Sequence, residues 1–200
     1  MAEQRNEPVR ADARQNRARI IEVARDAFTA AGHASLNSIA KKAGVGPGTL
    51  YRHFPTRESL ILAVYRHEVD QLAGYAPELL KDHPPLEALR LWFDRLAYYG
   101  RIKHGVSDVL HSLTDDALEG EIYGAVIGAV TLLLRACEED GCIRPGVDPD
   151  DVLLMLGFLW RTGPGEEGKA RVARLLDLVI DGLRLGAPGT PEAGARGAES

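Results

Sequence analysis

The sequence predicts an all-α protein of about nine helices, a basic unit of short helices followed by a longer helical bundle. Three observations predict it. Almost nothing in the chain alternates apolar and polar residues with period two, while apolar residues recur every three to four positions from one end to the other. Caps and stops bracket these runs one after another. Charge is segregated as well: residues 1–66 carry a net +5 and the remainder −10, within a total of −5.

At 200 residues and 45% hydrophobic, the chain can bury a core as one large domain or as a small domain beside a medium one. Its two cysteines, Cys137 and Cys142, lack the spacing and the companion Cys/His pair of a zinc site. They are expected as free thiols in a reducing compartment, with no metal and no cofactor. The start, MAEQRNEPVRADARQ, has no apolar segment of the secretory kind. The longest apolar run, Ile122–Leu134, falls short of the roughly 20 residues a membrane span needs. A buried helix in a cytoplasmic protein without membrane contact is therefore expected.

The first helix is bracketed by a capping box at Asp12 and Gln15 and a stop at Gly32. Ile20, Ile21, Ala24, Phe28 and Ala31 share one face, with Arg14, Arg17 and Arg25 available to the other. A short second helix follows Ser35 as N-cap, turns Leu36, Ile39 and Ala40 inward, and ends at Gly44. The third begins at Pro47, where a missing N–H does no harm, and stops before Pro55. Thr56 caps a fourth, which ends or kinks near Gly74 to Pro77.

Two short helices joined by the tight Gly44-Val45-Gly46 turn, inside a basic three-helix unit, make a helix-turn-helix. Its chemistry accounts for the composition of GVGPGTLYRHFPTRESL. A recognition helix enters a major groove about 12 Å wide, so its outward residues are small or able to hydrogen-bond. Pro47, Gly48 and Thr49 let the backbone approach closely; Tyr51 and His53 can donate to phosphates or base edges. Arg52 offers the fork that matches guanine O6 and N7. Leu50 and Phe54 face the small core, while Lys41, Lys42, Arg57 and the first helix's arginines can hold phosphates.

Residues 12–60, above all IAKKAGVGPGTLYRHFPTRESL, resemble the DNA-binding domain of the TetR family of bacterial transcriptional regulators. The resemblance implies that Pro47, Gly48, Thr49, Tyr51, Arg52 and His53 occupy recognition-helix positions and that Arg57 clamps a phosphate. One departure is Gly46, where the family often has Ser; glycine at an N-cap costs only a few tenths of a kcal/mol but brings no side chain to a phosphate.

Beyond the break at His83-Pro84-Pro85, Leu89, Trp92, Phe93 and Leu96 predict a fifth helix closing near Gly105, with a shorter piece from Ser107 to Leu113. A long apolar helix is expected over Leu118–Asp140 and two more after Asp148-Pro149 and Gly163-Pro164-Gly165. The resemblance implies that these last two pair with their copies in a homodimer, through Leu153, Leu156, Trp160, Leu175, Val179 and Leu183. It also implies an effector site for a small molecule in the bundle, for which Trp92, Tyr99, His111, Tyr123, Ile127 and Trp160 offer aromatic surface with polar handles.

The expected organisation is a DNA-binding domain over 10–56, an effector-binding and dimerisation domain over 57–185, and disordered tails at 1–9 and 186–200. The expected function is a repressor that binds a palindromic operator as a homodimer and is released by an effector. An architectural or ligand-independent DNA binder is the alternative. Catalysis is not expected, because no nucleophile elbow, phosphate loop or dinucleotide fingerprint occurs and His67-Glu68 lacks the second His of a zinc hydrolase.

Overall fold

The computed structural model describes residues 6–31, 34–113, 116–162 and 165–184, with side chains at 6–11, 29–31, 101–113, 116–119 and 160 outside that description. Eight α-helices and one 3-10 turn make up the described residues. They are α1 (Asn6–Ala31), α2 (Leu36–Lys42), α3 (Pro47–His53), α4 (Arg57–Asp82), α5 (Pro85–Leu113), α6 (Asp116–Glu139), α7 (Pro149–Met155), the 3-10 turn Leu156–Trp160 and α8 (Glu166–Leu183).

Most caps fall where the sequence places them. Ser35 Oγ accepts from Ser38 N at 3.2 Å to open α2. Thr56 Oγ1 accepts from Ser59 N at 3.1 Å while Ser59 Oγ accepts from Thr56 N at 3.2 Å, a reciprocal capping pair at the head of α4. Asp148 opens α7 by accepting from Asp150 N at 2.8 Å, with Pro149 at the first helical position.

Two boundaries differ from expectation, and at a third, where an end or a kink is expected, the helix does not end. Asp12 and Gln15 lie inside α1, which already begins at Asn6, so they cap nothing. Helix α4 runs through Pro77 to Asp82. Pro77 removes one backbone bond, but Ala76 and Leu79 on either side of it are buried, and that packing holds the helix together. Helix α5 likewise continues past Gly105 to Leu113 as one element, because a glycine weakens a helix interior by only about 1 kcal/mol. Of the expected tails, residues 1–5 and 186–200 lie outside the described residues, and residues 6–9 belong to α1.

Two compact units divide the chain: one takes residues to Gln71 with Tyr98–Ala125, the other Leu72–Ala97 with the residues from Val126 onward. In the first, Ile20, Ile21, Ala24 and Phe28 of α1 bury with Ile39 and Ala40 of α2, Leu50 of α3 and Leu60, Ile61 and Val64 of α4. The single buried charge among the described residues, Glu68, is also here. In the second, Leu89, Trp92 and Phe93 of α5 are fully buried, as are Val130 and Leu133 of α6 and Leu176 of α8. Arg90 pairs with Asp177 of α8, and Arg144 N donates to Leu183 O at 2.9 Å, fastening the segment after α6 to the end of α8.

Helix α6 is less buried than its sequence suggests. Over Gly120–Glu139 its length and mean hydropathy of 1.4 equal those of a membrane span, yet only 33% of that stretch is buried within the chain. Val126, Val130, Leu133, Leu134 and Cys137 form a core-facing stripe at helical spacing, while Tyr123 and Leu132 are exposed.

Candidate nucleic-acid interface

The interface is built from the turn outward. Gly44 adopts φ +65°, a left-handed conformation that a side chain resists, and Val45 N donates back to Ala40 O at 3.0 Å. This reverses the chain within three residues. Gly46 then starts α3 with its carbonyl, which accepts from Thr49 N at 3.0 Å and Leu50 N at 3.2 Å, and supplies no side-chain cap. Leu50 and Phe54 anchor α3 in the core of the first unit.

With Leu50 and Phe54 inward, helical geometry places Gly48, Tyr51 and Arg52 within about 100° of the circumference on the opposite side. All three are exposed, Tyr51 to 45%, an unusual position for an aromatic ring that packing alone does not explain. Pro47 is exposed beside them and Thr49 is half-buried; Lys41 and Lys42 are exposed at the end of α2. Arg57 is half-buried with its guanidinium 5.1 Å from the Phe28 ring centroid, so the same residue that begins α4 also packs on α1. His53 departs from the group: it is half-buried, tilted against Phe54 at 6.2 Å, and turned toward α1 and α4.

Four of the six residues expected around an effector have described side chains. Trp92 is fully buried and its indole N–H is engaged by Leu72 O at 2.9 Å. Tyr99, buried and stacked on Tyr65 at 5.5 Å, has its phenol pushed far up by burial and by Tyr65 and Glu68, which holds it protonated. Tyr123 is exposed and Ile127 half-buried. Trp92 and Ile127 belong to one compact unit, Tyr99 and Tyr123 to the other. The side chains of His111 and Trp160 lie outside the described residues.

The residues expected at a dimer interface differ in how far the chain's own core covers them. Leu156, Val179 and Leu183 are buried in the chain's own core, and Leu153 and Leu175 are half-buried. Because α8 turns Val172, Leu176, Val179 and Leu183 inward, its outer face carries Arg171, Arg174, Leu175 and Leu178. Leu178 is 67% exposed, and Leu154 and Met155 of α7 are 80% and 51% exposed. Sequence periodicity alone does not say which of two adjacent leucines on such a helix faces out.

Among the described residues no three His, Cys, Asp or Glu side chains come together as a metal site. Burial pushes both thiols up, Cys137 the further, and Cys142 Sγ donates to Cys137 O at 3.3 Å. Protonated thiols of this kind are weak ligands and weak nucleophiles.

Residues 20–64 match the family described as bacterial regulatory proteins of the tetR family. Residues 84–185 match the SbtR-like transcriptional regulator C-terminal domain. The chain belongs to the TetR family of transcriptional regulators. The TetR-type transcriptional regulator SCO0520 of Streptomyces coelicolor has a similar solved structure, with 41% identity, a TM-score of 0.77, and coverage of 86% of this chain and 99% of that one. A TetR regulatory protein of Mycobacterium vanbaalenii is 32% identical with a TM-score of 0.74, over 89% of this chain and 100% of that one. The HTH-type transcriptional regulator SAR2658 of Staphylococcus aureus is 35% identical over 99 residues, 48% of this chain and 53% of the relative. The matched region thus spans about half the length of the curated relatives. As a TetR-family member the chain is a DNA-binding regulator of transcription and not an enzyme.

Proposed function

We propose that this TetR-family protein is a cytoplasmic repressor that binds a palindromic operator as a homodimer and leaves it when a small molecule binds. The observation that carries the reading is the outer face of α3: Gly48, Tyr51 and Arg52 project together from a helix whose other side is locked by Leu50. Arg52 reads a base edge through its two-pronged donor and Gly48 permits close backbone approach. Pro47 and Thr49 complete the entering end of the helix, Tyr51 and His53 hold its margins, and Lys41, Lys42 and Arg57 set its register on phosphates. In this division of labour residues 10–56 bind DNA and 57–185 carry the dimer contact and the effector site.

Dimerisation is supported by large apolar side chains left exposed on both helices, Leu154 and Met155 of α7 and Leu178 of α8. Two-fold symmetry would place two α3 helices one turn of DNA apart, about 34 Å, and so match a palindrome. An effector that favours a different spacing weakens DNA binding by the same free energy with which DNA weakens effector binding; a coupling of about 3 kcal/mol exceeds a hundredfold.

Selection from random duplexes at near-physiological salt tests this. The expected result is a palindrome whose half-sites lie about one helical turn apart. Enrichment of single half-sites would refute the dimeric reading, and a failure to enrich any sequence would refute sequence recognition altogether, leaving an architectural DNA binder.

A further inference from the structure

The first compact unit contains a second basic feature that the recognition helix does not account for. Arg17 of α1, His53 at the end of α3 and Arg66 and His67 of α4 surround a groove of about 380 Å³. Its floor includes Leu62 and Ala63, and Asp70 is the one carboxylate on its wall. Along α4 the lining from Ser59 to Asp70 covers about 16 Å at 1.5 Å per residue.

The two arginines of this groove differ from others in the chain. Arg25, Arg90, Arg171 and Arg184 all meet carboxylates within ion-pair distance. Arg17 and Arg66 have no such partner among the described residues, although Asp70 sits one turn beyond Arg66. Arg17 is instead stacked over Phe54, its guanidinium carbon 5.4 Å from the ring centroid. Stacking spends the face of a guanidinium and leaves its N–H edge to donate. The Ser59 hydroxyl is already committed to Thr56, so charge and not hydroxyl donation defines the groove.

We propose that this groove is a phosphate-binding site distinct from the base-reading face of α3. Two guanidiniums against one carboxylate leave a net positive site, and the planar fork of arginine matches the oxygens of a phosphate. Asp70 disfavours an anion at its own end, which leaves the phosphate to the part of the groove that Arg17, His53, Arg66 and His67 share. His53 belongs to both the groove and the recognition helix, so occupancy of the groove bears directly on how α3 meets DNA. The phosphate comes from one of two sources, the backbone of DNA flanking the operator or a small phosphorylated molecule whose organic part rests on Leu62 and Ala63. This inference extends the DNA-binding reading but does not need it for its first test.

The experiment uses the full-length protein with Arg66→Gln and His67→Gln, and Arg135→Gln as a control on the exposed side of α6. Pyrophosphate is first titrated by calorimetry in chloride of matched ionic strength, without DNA. Operator affinity is then measured across a salt series. If the source is DNA, Arg66→Gln lowers the slope of log affinity against log salt by about 0.9, the value for one lost phosphate. If it is a small molecule, wild type and Arg135→Gln bind pyrophosphate, Arg66→Gln and His67→Gln lose that binding at least tenfold, and the salt slope is unchanged. Identical pyrophosphate behaviour and identical salt slopes in all four proteins would overturn the proposal. Should wild type bind no operator, the DNA-reading account fails and the pyrophosphate titration alone decides the groove.

Discussion

The guanidinium of Arg25 on α1 lies 3.8 Å from Glu68 Oε1 on α4, and that carboxylate belongs to a residue only 3% exposed. Oε1 has no hydrogen-bond partner among the described residues, so Arg25 compensates its charge across a distance longer than a hydrogen bond. The pair therefore joins the first helix of the DNA-binding unit to α4 through a contact that is costly to leave half made. One turn earlier on α4, Tyr65 stacks on Tyr99 of α5, so three helices meet around the same polar cluster.

Removing one partner should be worse than removing both. Arg25→Ala strands the buried carboxylate and is expected to cost about 1–3 kcal/mol. Arg25→Ala with Glu68→Leu should be less destabilised than Arg25→Ala alone, since an apolar side chain carries no desolvation penalty. Urea denaturation of the two variants and wild type measures both quantities. A double variant weaker than the single would show that the pair is held by more than charge compensation.

Tyr99 gives the protein an alkaline limit. Its phenol is held above the ordinary value of 10.0, chiefly by burial, with Tyr65 adding to the shift. A folded-state value above the unfolded one means that the folded chain keeps a proton the unfolded chain releases. Stability from this group is thus complete below about pH 10 and declines above it, by up to about 1.4 kcal/mol per pH unit. Denaturant melts between about pH 8 and 11 should show the decline in wild type and a shallower one in Tyr99→Phe.

A glycine of the turn, Gly44, and a glycine inside α3, Gly48, separate folding from function. Gly48 has open space around the position of a Cβ, so Gly48→Ala is expected to stabilise α3 by roughly 0.5–1 kcal/mol and still weaken operator binding through the lost close approach. Gly44, at φ +65°, behaves the other way: Gly44→Ala should cost about 1–2 kcal/mol of stability. Thermal melts paired with fluorescence anisotropy on labelled operator distinguish the two effects.

How much of this was legible beforehand depends on how local the signal is. Ser35, Gly44, Pro47 and Thr56 announce the helix-turn-helix because caps and turns act within a few residues. The continuation of α4 through Pro77 was not legible, since it depends on burial of Ala76 and Leu79 supplied by residues distant in sequence. Nor was the orientation of His53: its neighbours Tyr51 and Arg52 are exposed, and only the proximity of Arg17, Arg66 and His67 reveals that its ring faces a groove. The leucines of α7 and α8 illustrate the same limit, because a leucine-rich helix offers several faces and packing selects one.

That selection has a test of its own. Leu178→Glu alters an exposed position and is expected to convert the dimer to a folded monomer in sedimentation velocity, with stability changed by no more than about 0.5 kcal/mol in the monomer. Leu176→Ala, two residues earlier and fully buried, should instead cost about 2–5 kcal/mol of stability. If Leu178→Glu leaves the association state unchanged, the outer face of α8 is not the contact between subunits.

The most direct test of the central claim is the ratio of operator to random-duplex affinity in wild type and Arg52→Ala, measured by anisotropy at one fixed salt concentration. Arg52 is exposed, so the substitution leaves the fold intact. A base-reading role for α3 predicts that the ratio falls by about 1–3 kcal/mol, roughly five- to 150-fold, while affinity for random duplex changes little. Equal loss on both duplexes, or no loss on either, would contradict it and place sequence recognition elsewhere in the chain.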